Sequence, residues 1–236
     1  MKKKLNHIHK KARKHKILIQ NFSYLTSLQV FNLFIPLITY PYLIRILGNE
    51  KFGLVVFAQA VIGYLVILVS FGFNLSATKE ISVHRENPEK VNEIYSSVLI
   101  IKGILFLFSF IILWTILLIL KESEGYELLF YLTMWRCLYE FIFPMWYFQG
   151  IEKMKYITII TLISRLLFLA LIFVFIRYPK DYILVPVMYG IGALASGVIS
   201  LFITRQHNVI FIWQPLNKLR YYFINSLPLF VSNLST

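Results

Sequence analysis

The stretch IYSSVLIIKGILFLFSFIILWTILLIL, Ile94–Leu120, decides the fold, because Lys102 is its single charged residue. An α-helix needs about 20 apolar residues to cross roughly 30 Å of hydrocarbon. Similar runs recur along the chain, which is 58% hydrophobic and 15% charged, with a mean hydropathy of +0.68. A soluble core could not bury so many apolar side chains. The sequence therefore predicts an all-α, polytopic transmembrane helical bundle.

Working outward from this run, the pattern predicts six transmembrane helices and the start of a seventh. The six are Ile19–Leu47, Gly53–Phe73, Ile94–Leu120, Glu127–Phe148, Tyr156–Ile176 and Tyr182–Ile203, and the seventh begins near Tyr221. The predicted organisation is a basic amino-terminal segment (1–18), a six-helix bundle (19–203), a loop (204–220) and the beginning of a seventh helix (221–236). Most links are short, so neighbouring helices should run antiparallel within one bundle.

The distribution of Lys and Arg predicts the orientation, because basic loops resist translocation and stay in the cytoplasm. Eight Lys or Arg precede the first apolar run, which no small-residue cleavage site follows, so we expect a retained first helix and a cytoplasmic amino terminus. The inner side then receives Lys79, Arg85, Lys90, Lys153, Lys155, Arg205, Lys218 and Arg220, and the outer side only Lys51, Lys121, Arg177 and Lys180. The predicted topology thus explains the net charge of +13, so this charge does not indicate binding to nucleic acid. A specific contact of the basic segment with anionic lipids is an alternative.

Neither cysteine nor histidine indicates a metal or redox centre. Cys137 is the single cysteine and lies inside a predicted span, so it is expected to be a small buried apolar residue. His7, His9 and His15 have a spacing that matches no convincing metal site and are expected to be solvated. We expect no cofactor.

Charged side chains inside the predicted spans are the candidate binding residues, because each costs at least about 2.5–3.5 kcal/mol at bilayer depth. They are Lys102, Arg136, Glu140 and Arg165, with Arg45 at the outer end of the first span. Polar residues three or four positions away extend each charge into a stripe, as Thr133 does for Arg136 and Thr161 for Arg165. Such stripes indicate a shared water-filled cavity with surplus positive charge, which suits an anionic substrate.

A simpler interpretation of these charges is also open. Arg136 and Glu140 are one turn apart and could neutralise each other, while Lys102 could snorkel to the inner interface. Pro36 and Pro41 each remove a backbone hydrogen bond and predict a kink in the first helix. That kink would suit gating, although proline is also frequent in membrane helices without such a role.

Three blocks of sequence resemble a known family. They are IPLITYPYLIRILGNEKFG (Ile35–Gly53), FGFNLSAT (Phe71–Thr78) and PMWYFQGIEKMKY (Pro144–Tyr156), the last continuing to SRL (Ser164–Leu166). In order and spacing they resemble the Wzx-type O-antigen and polysaccharide flippases, of the multidrug and oligosaccharidyl-lipid exporter superfamily. The resemblance implies a MATE-like helical bundle whose two halves surround a central cavity.

The resemblance also implies a function. It implies movement of an undecaprenyl-pyrophosphate-linked oligosaccharide across the bacterial inner membrane. Membrane lipids and a polysaccharide polymerase complex are the partners that it suggests. Arg45 and Arg165 lie in the family-like blocks, and arginine suits pyrophosphate oxygens. Relatives of this kind have about twice as many helices, so we expect a truncated chain that does not transport alone.

Three other functions compete with a flippase. A cation-coupled multidrug exporter should place uncompensated carboxylates in its cavity, whereas Glu140 is the only acidic residue well inside a predicted span. A polysaccharide polymerase or ligase should have large outer loops and a catalytic residue grouping, and neither is visible, so we expect no enzyme. A scaffold role for a non-transporting fragment is the third alternative.

Overall fold

The computed structural model describes residues 2–119 and 125–234, and the side chains of 18–119 and 125–232. The side chains of the basic amino-terminal segment, including His7, His9 and His15, and the predicted outer residue Lys121 lie outside this description. The described helices are α1 (Lys2–Ser70), α2 (Phe73–His84), α3 (Pro88–Ile119), α4 (Glu127–Thr133), α5 (Trp135–Ile142), α6 (Met145–Gly150), α7 (Met154–Phe175), α8 (Leu184–Gln206) and α9 (Leu216–Leu234). A short 3-10 helix, Pro179–Ile183, precedes α8.

Length and composition fit a membrane protein, as predicted. Four helical stretches are long and apolar enough to cross a bilayer, namely Leu18–His84, Pro88–Ile119, Met154–Phe175 and Pro179–Gln206. The described chain is otherwise turns and short links, without a strand. The protein is therefore an all-α membrane bundle.

Helix α1 consists of two arms, 2–47 and 49–70, that meet at Gly48. This glycine has φ 76° and ψ 163°, a backbone conformation that is essentially restricted to glycine. The boundary agrees with the predicted separation of the first two spans. Pro36 and Pro41 both lie inside the helical first arm, so the kink expected there stays a prediction.

The single helix predicted over Glu127–Phe148 is wrong, because this region forms three short helices, α4 to α6. Pro144 has no amide hydrogen to donate and disfavours a helical conformation at the preceding residue. Phe143 accordingly has an extended conformation and ends α5. Two predicted links are also partly helical, since α2 fills much of Asn74–Glu93, and α8 and α9 extend into 204–220 from either side.

Contacts between loops define the two ends of the bundle. At one end, Arg85 pairs with Glu152 at 2.9 Å, and Lys153 donates to His207 at 3.0 Å. At the other end, the Tyr42 hydroxyl donates to the Ile176 carbonyl at 2.8 Å. The links after α2, α6 and α8 therefore meet at one end, and those after α3 and α7 lie at the other.

The buried apolar residues form two clusters, one toward each end. The cluster at the end of Arg85 includes Phe73, Ile94, Trp146, Phe148 and Ile157. The cluster at the opposite end includes Leu47, Ile62, Leu113, Phe130 and Ile172. The chain passes from one cluster to the other within α3, α5 and α7, so the middle of these helices lies between the two apolar regions.

Small residues in α8 allow the middle of the bundle to close tightly. A methyl group at Gly190 would overlap the ring of Trp135, and one at Gly197 would overlap Ile142. Close approach at small residues is the usual basis of helix packing in membranes. Helix α8 therefore holds α5 in place, and α5 carries two of the candidate residues.

Candidate functional site

The predicted charged residues of α3, α5 and α7 lie where the two apolar clusters meet. Lys102 falls between Ile101 and Leu105 of the first cluster. From there α3 continues toward the second cluster. Glu140 lies between the second-cluster residue Cys137 and the first-cluster residue Phe143. We call Lys102, Arg136, Glu140 and Arg165, with their polar neighbours, the central polar layer.

Lys102 and Glu140 form an ion pair across α3 and α5. Lys102 Nζ lies 2.8 Å from Glu140 Oε1, and the two side chains are 1% and 16% exposed. The Asn74 amide also points at Oε1 from 3.5 Å and donates to the Ser70 hydroxyl at 3.2 Å. The buried charges therefore neutralise each other, which offsets part of their desolvation cost.

This pair corrects two parts of the simpler sequence interpretation. In that alternative Glu140 could pair with Arg136, whereas it pairs with Lys102, which is 38 positions away along the chain. In the same alternative Lys102 could snorkel toward the inner interface, whereas it is buried. The physical reason is that the packing of α3 against α5 offers Glu140 a cation closer than its neighbour on its own helix.

Arg136 reaches the second arm of α1 instead. Its Nη1 donates to the carbonyl oxygen of Gln59 at 2.7 Å, and its side chain is partly buried. A carbonyl oxygen has two lone pairs, so it can accept from an arginine as well as from its own helix. The carbonyl supplies a hydrogen bond but no negative charge, so Arg136 keeps its full positive charge.

Arg165 lies in a separate small cavity between α5, α7 and α8. The cavity has a volume of about 30 Å³ and is also lined by Tyr139, Thr161, Ser164, Phe168 and Tyr189. That volume holds about one water molecule. No carboxylate lies within ion-pair distance of Arg165 among the described residues. Tyr139 and Tyr189 are neighbours of Arg165 that the pattern of charges did not indicate, although Tyr139 directly precedes Glu140.

The remaining candidates do not join the central polar layer. Arg45 is exposed and lies on the first arm of α1, close to Gly48. Several hydroxyls of the predicted stripes are bonded to main-chain carbonyls, as Thr133 is to Leu129 at 2.6 Å and Thr158 is to Tyr24 at 3.0 Å. The structure therefore brings Lys102 and Glu140 into contact and places Arg136 and Arg165 in two separate environments.

The fold and the charged interior define the class of protein: a polytopic α-helical membrane protein with charged side chains among its packed helices. A family model described as "Polysaccharide biosynthesis protein" matches residues 18–236. The chain therefore belongs to that polysaccharide biosynthesis family, which confirms the resemblance predicted from the three sequence blocks.

Two curated relatives agree with this family. The chain is 34% identical over 182 residues to a protein of Escherichia coli (strain K12) named "Putative O-antigen transporter", which covers 77% of this chain and 44% of that protein. A protein of Shigella dysenteriae with the same name is 34% identical over 187 residues, covering 75% of this chain and 44% of the relative. The chain thus spans less than half the length of these relatives. No solved structure matches it.

Proposed function

We propose that this chain forms one half of a pathway that moves an undecaprenyl-pyrophosphate-linked oligosaccharide across the bacterial inner membrane, for O-antigen or capsular polysaccharide synthesis. The observation that carries the proposal is that Arg136 and Arg165 lie among apolar helices without a carboxylate partner among the described residues, and we place both at bilayer depth. An arginine there needs an anion to offset its charge. A pyrophosphate headgroup supplies that anion and accepts several hydrogen bonds from guanidinium groups.

The same geometry argues against a cation-coupled drug exporter. Such a protein needs a free carboxylate to bind an organic cation, and Glu140 is already paired with Lys102 at 2.8 Å. With this pair neutral, the charge left in the central polar layer is that of the two arginines. Its sign favours an anionic cargo, carried without any chemical change to it.

We infer that the end of the bundle that contains Arg85, Lys153 and His207 faces the cytoplasm. The basic residues expected on the inner side lie in the links that meet at this end, as Arg85 and Lys153 do, or in the helices that adjoin those links. The opposite end holds far fewer, among them Lys51, which donates to the Tyr126 hydroxyl at 3.2 Å. This asymmetry follows the rule that basic loops stay in the cytoplasm.

The central test is binding of undecaprenyl pyrophosphate to the detergent-solubilised chain, followed by native mass spectrometry. Arg165→Gln should weaken binding by about 10- to 100-fold, which corresponds to one hydrogen bond to a charged group. The Arg165 cavity has room for about one water, so binding should also require Tyr139 or Tyr189 to move aside. Tyr189→Ala should therefore not weaken binding.

Arg177→Gln is the matched control, because Arg177 is exposed and follows the end of α7. Its Nε donates to the Val174 carbonyl of that helix. This control should bind like the unmodified chain. Equal binding by the Arg165→Gln and Arg177→Gln variants would contradict the proposal. Saturable binding of the cation ethidium that depends on Glu140 would instead support the drug exporter.

A further inference from the structure

The link between α8 and α9 exposes a continuous group of large apolar side chains. Trp213 is 77% exposed, and the neighbouring exposed residues are Ile210, Phe211, Ile212 and Leu216. Val209 and Gln214 are buried, so the segment lies against the bundle rather than away from it. We call residues 209–216 the apolar link.

Side chains of helix α3 hold the backbone of the apolar link in place. The Ile210 amide donates to the Asn92 side-chain oxygen at 3.0 Å, and the Ile212 amide donates to the Ser96 hydroxyl at 2.9 Å. Both acceptors are buried side chains of α3. These two hydrogen bonds satisfy the amides and hold the link against α3, so its exposed apolar side chains belong to a fixed segment of the chain.

A crevice of about 390 Å³ lies next to the apolar link, between α3 and α8. One part of its lining is apolar, with Leu99, Leu201 and Phe211, and another part is polar, with Arg205 and Asn208. Arg205 is exposed and makes no ion pair with any described residue. The crevice also contains Tyr95, which is 4% exposed and whose hydroxyl makes no hydrogen bond within the described part of the chain.

We propose that the apolar link and this crevice form a docking surface for an anionic phospholipid of the adjacent leaflet. Tryptophan and other amphipathic rings favour the level of the headgroups, so the link would lie in the interface. Arg205 would pair with the phosphodiester, and an acyl chain would run along Leu99 and Leu201. The surface lies at the end that Lys153 and His207 share, and the lipid contact does not depend on transport.

The first experiment measures the depth of position 213. A nitroxide is attached to Trp213→Cys, and its collisions with oxygen and with a water-soluble nickel complex are compared in phosphatidylglycerol-containing liposomes. The nitroxide should collide mainly with oxygen. Glu86→Cys, exposed in the turn between α2 and α3 at the same end, should collide mainly with nickel. Cys137 is fully buried, so the unmodified chain serves as the labelling control.

The second experiment measures lipid binding by native mass spectrometry. Phosphatidylglycerol should bind more tightly than phosphatidylcholine, and Arg205→Gln should weaken phosphatidylglycerol binding about fivefold, as expected for one cation at an anionic surface. Lys155→Gln is the matched control, since Lys155 is exposed at the same end but does not line the crevice. This control should retain full binding.

Three results would overturn the proposal. One is a nitroxide at position 213 that is as accessible to nickel as the one at position 86. Another is equal binding of phosphatidylglycerol by the Arg205→Gln and Lys155→Gln variants. The third is undecaprenyl pyrophosphate binding that requires Arg205 while phosphatidylglycerol does not bind, which would make the crevice a substrate site. Since neither experiment involves Arg165, the transport proposal can fail while this one holds.

Discussion

The Lys102–Glu140 ion pair allows a quantitative prediction about stability. Lys102→Met keeps a side chain of similar length and removes the ammonium group that lies 2.8 Å from Glu140. Glu140 would then keep only the Asn74 amide at 3.5 Å. Breaking a buried pair in this way costs about 3–5 kcal/mol, because a charge is left without compensation. That loss is a large share of the free energy of unfolding, which is about 5–15 kcal/mol for a typical protein.

The double variant K102M/E140M separates an electrostatic effect from a packing effect. Replacing both members of a buried pair by apolar residues is often neutral or stabilising. We therefore expect the double variant to regain most of the stability that K102M loses.

The buried thiol of Cys137 provides the assay. Its side chain is fully buried, so a thiol-reactive fluorogenic maleimide labels it as the bundle unfolds on heating in detergent. K102M should lower the midpoint by on the order of 10 °C, whereas Lys155→Met at an exposed site should leave it nearly unchanged. The reasoning is refuted if K102M behaves like the Lys155 control, or if the double variant is as unstable as K102M.

Three further predictions concern the backbone, the helix packing and one histidine. Gly48→Ala should cost about 1–3 kcal/mol in the same thermal assay, because alanine strains a residue with φ 76° and ψ 163°; an unchanged midpoint would contradict this. Gly197→Val should cost about 1–3 kcal/mol by overpacking against Ile142, and a stabilised variant would refute the close contact. Burial, and then the charge of Lys153, hold the pKa of His207 below its ordinary value of 6.5, so the folded state should lose stability as the pH falls below 6.5. Lys153→Gln should raise that pKa in an NMR titration, and no change would rule out the Lys153 contribution.

The membrane fold was predictable because it follows from local composition. Runs such as Ile94–Leu120 have the length and apolarity of a transmembrane helix, and α3 occupies that run as far as the structure describes it. The break between the first two helices was also placed near Gly48. The division of Glu127–Phe148 was missed, although Pro144 is a visible helix breaker within it.

The partners of the charged residues were not predictable from spacing along a helix. Residues three or four positions apart share a helix face, which points from Glu140 to Arg136. The true partner, Lys102, arrives from another helix, and only the packing of α3 on α5 brings it within 2.8 Å. Arg136 likewise bonds to a main-chain carbonyl, an acceptor that every residue carries and that side-chain patterns do not distinguish.

Two apolar clusters lie on either side of the charged layer, and different properties limit substitutions in the clusters and in the layer. Volume and shape constrain the clusters, because their side chains are close-packed. Charge and hydrogen bonding constrain the layer between them. A substitution of Arg136 or Arg165 that preserves size leaves both clusters intact, so the charge of the layer can change while the architecture stays the same.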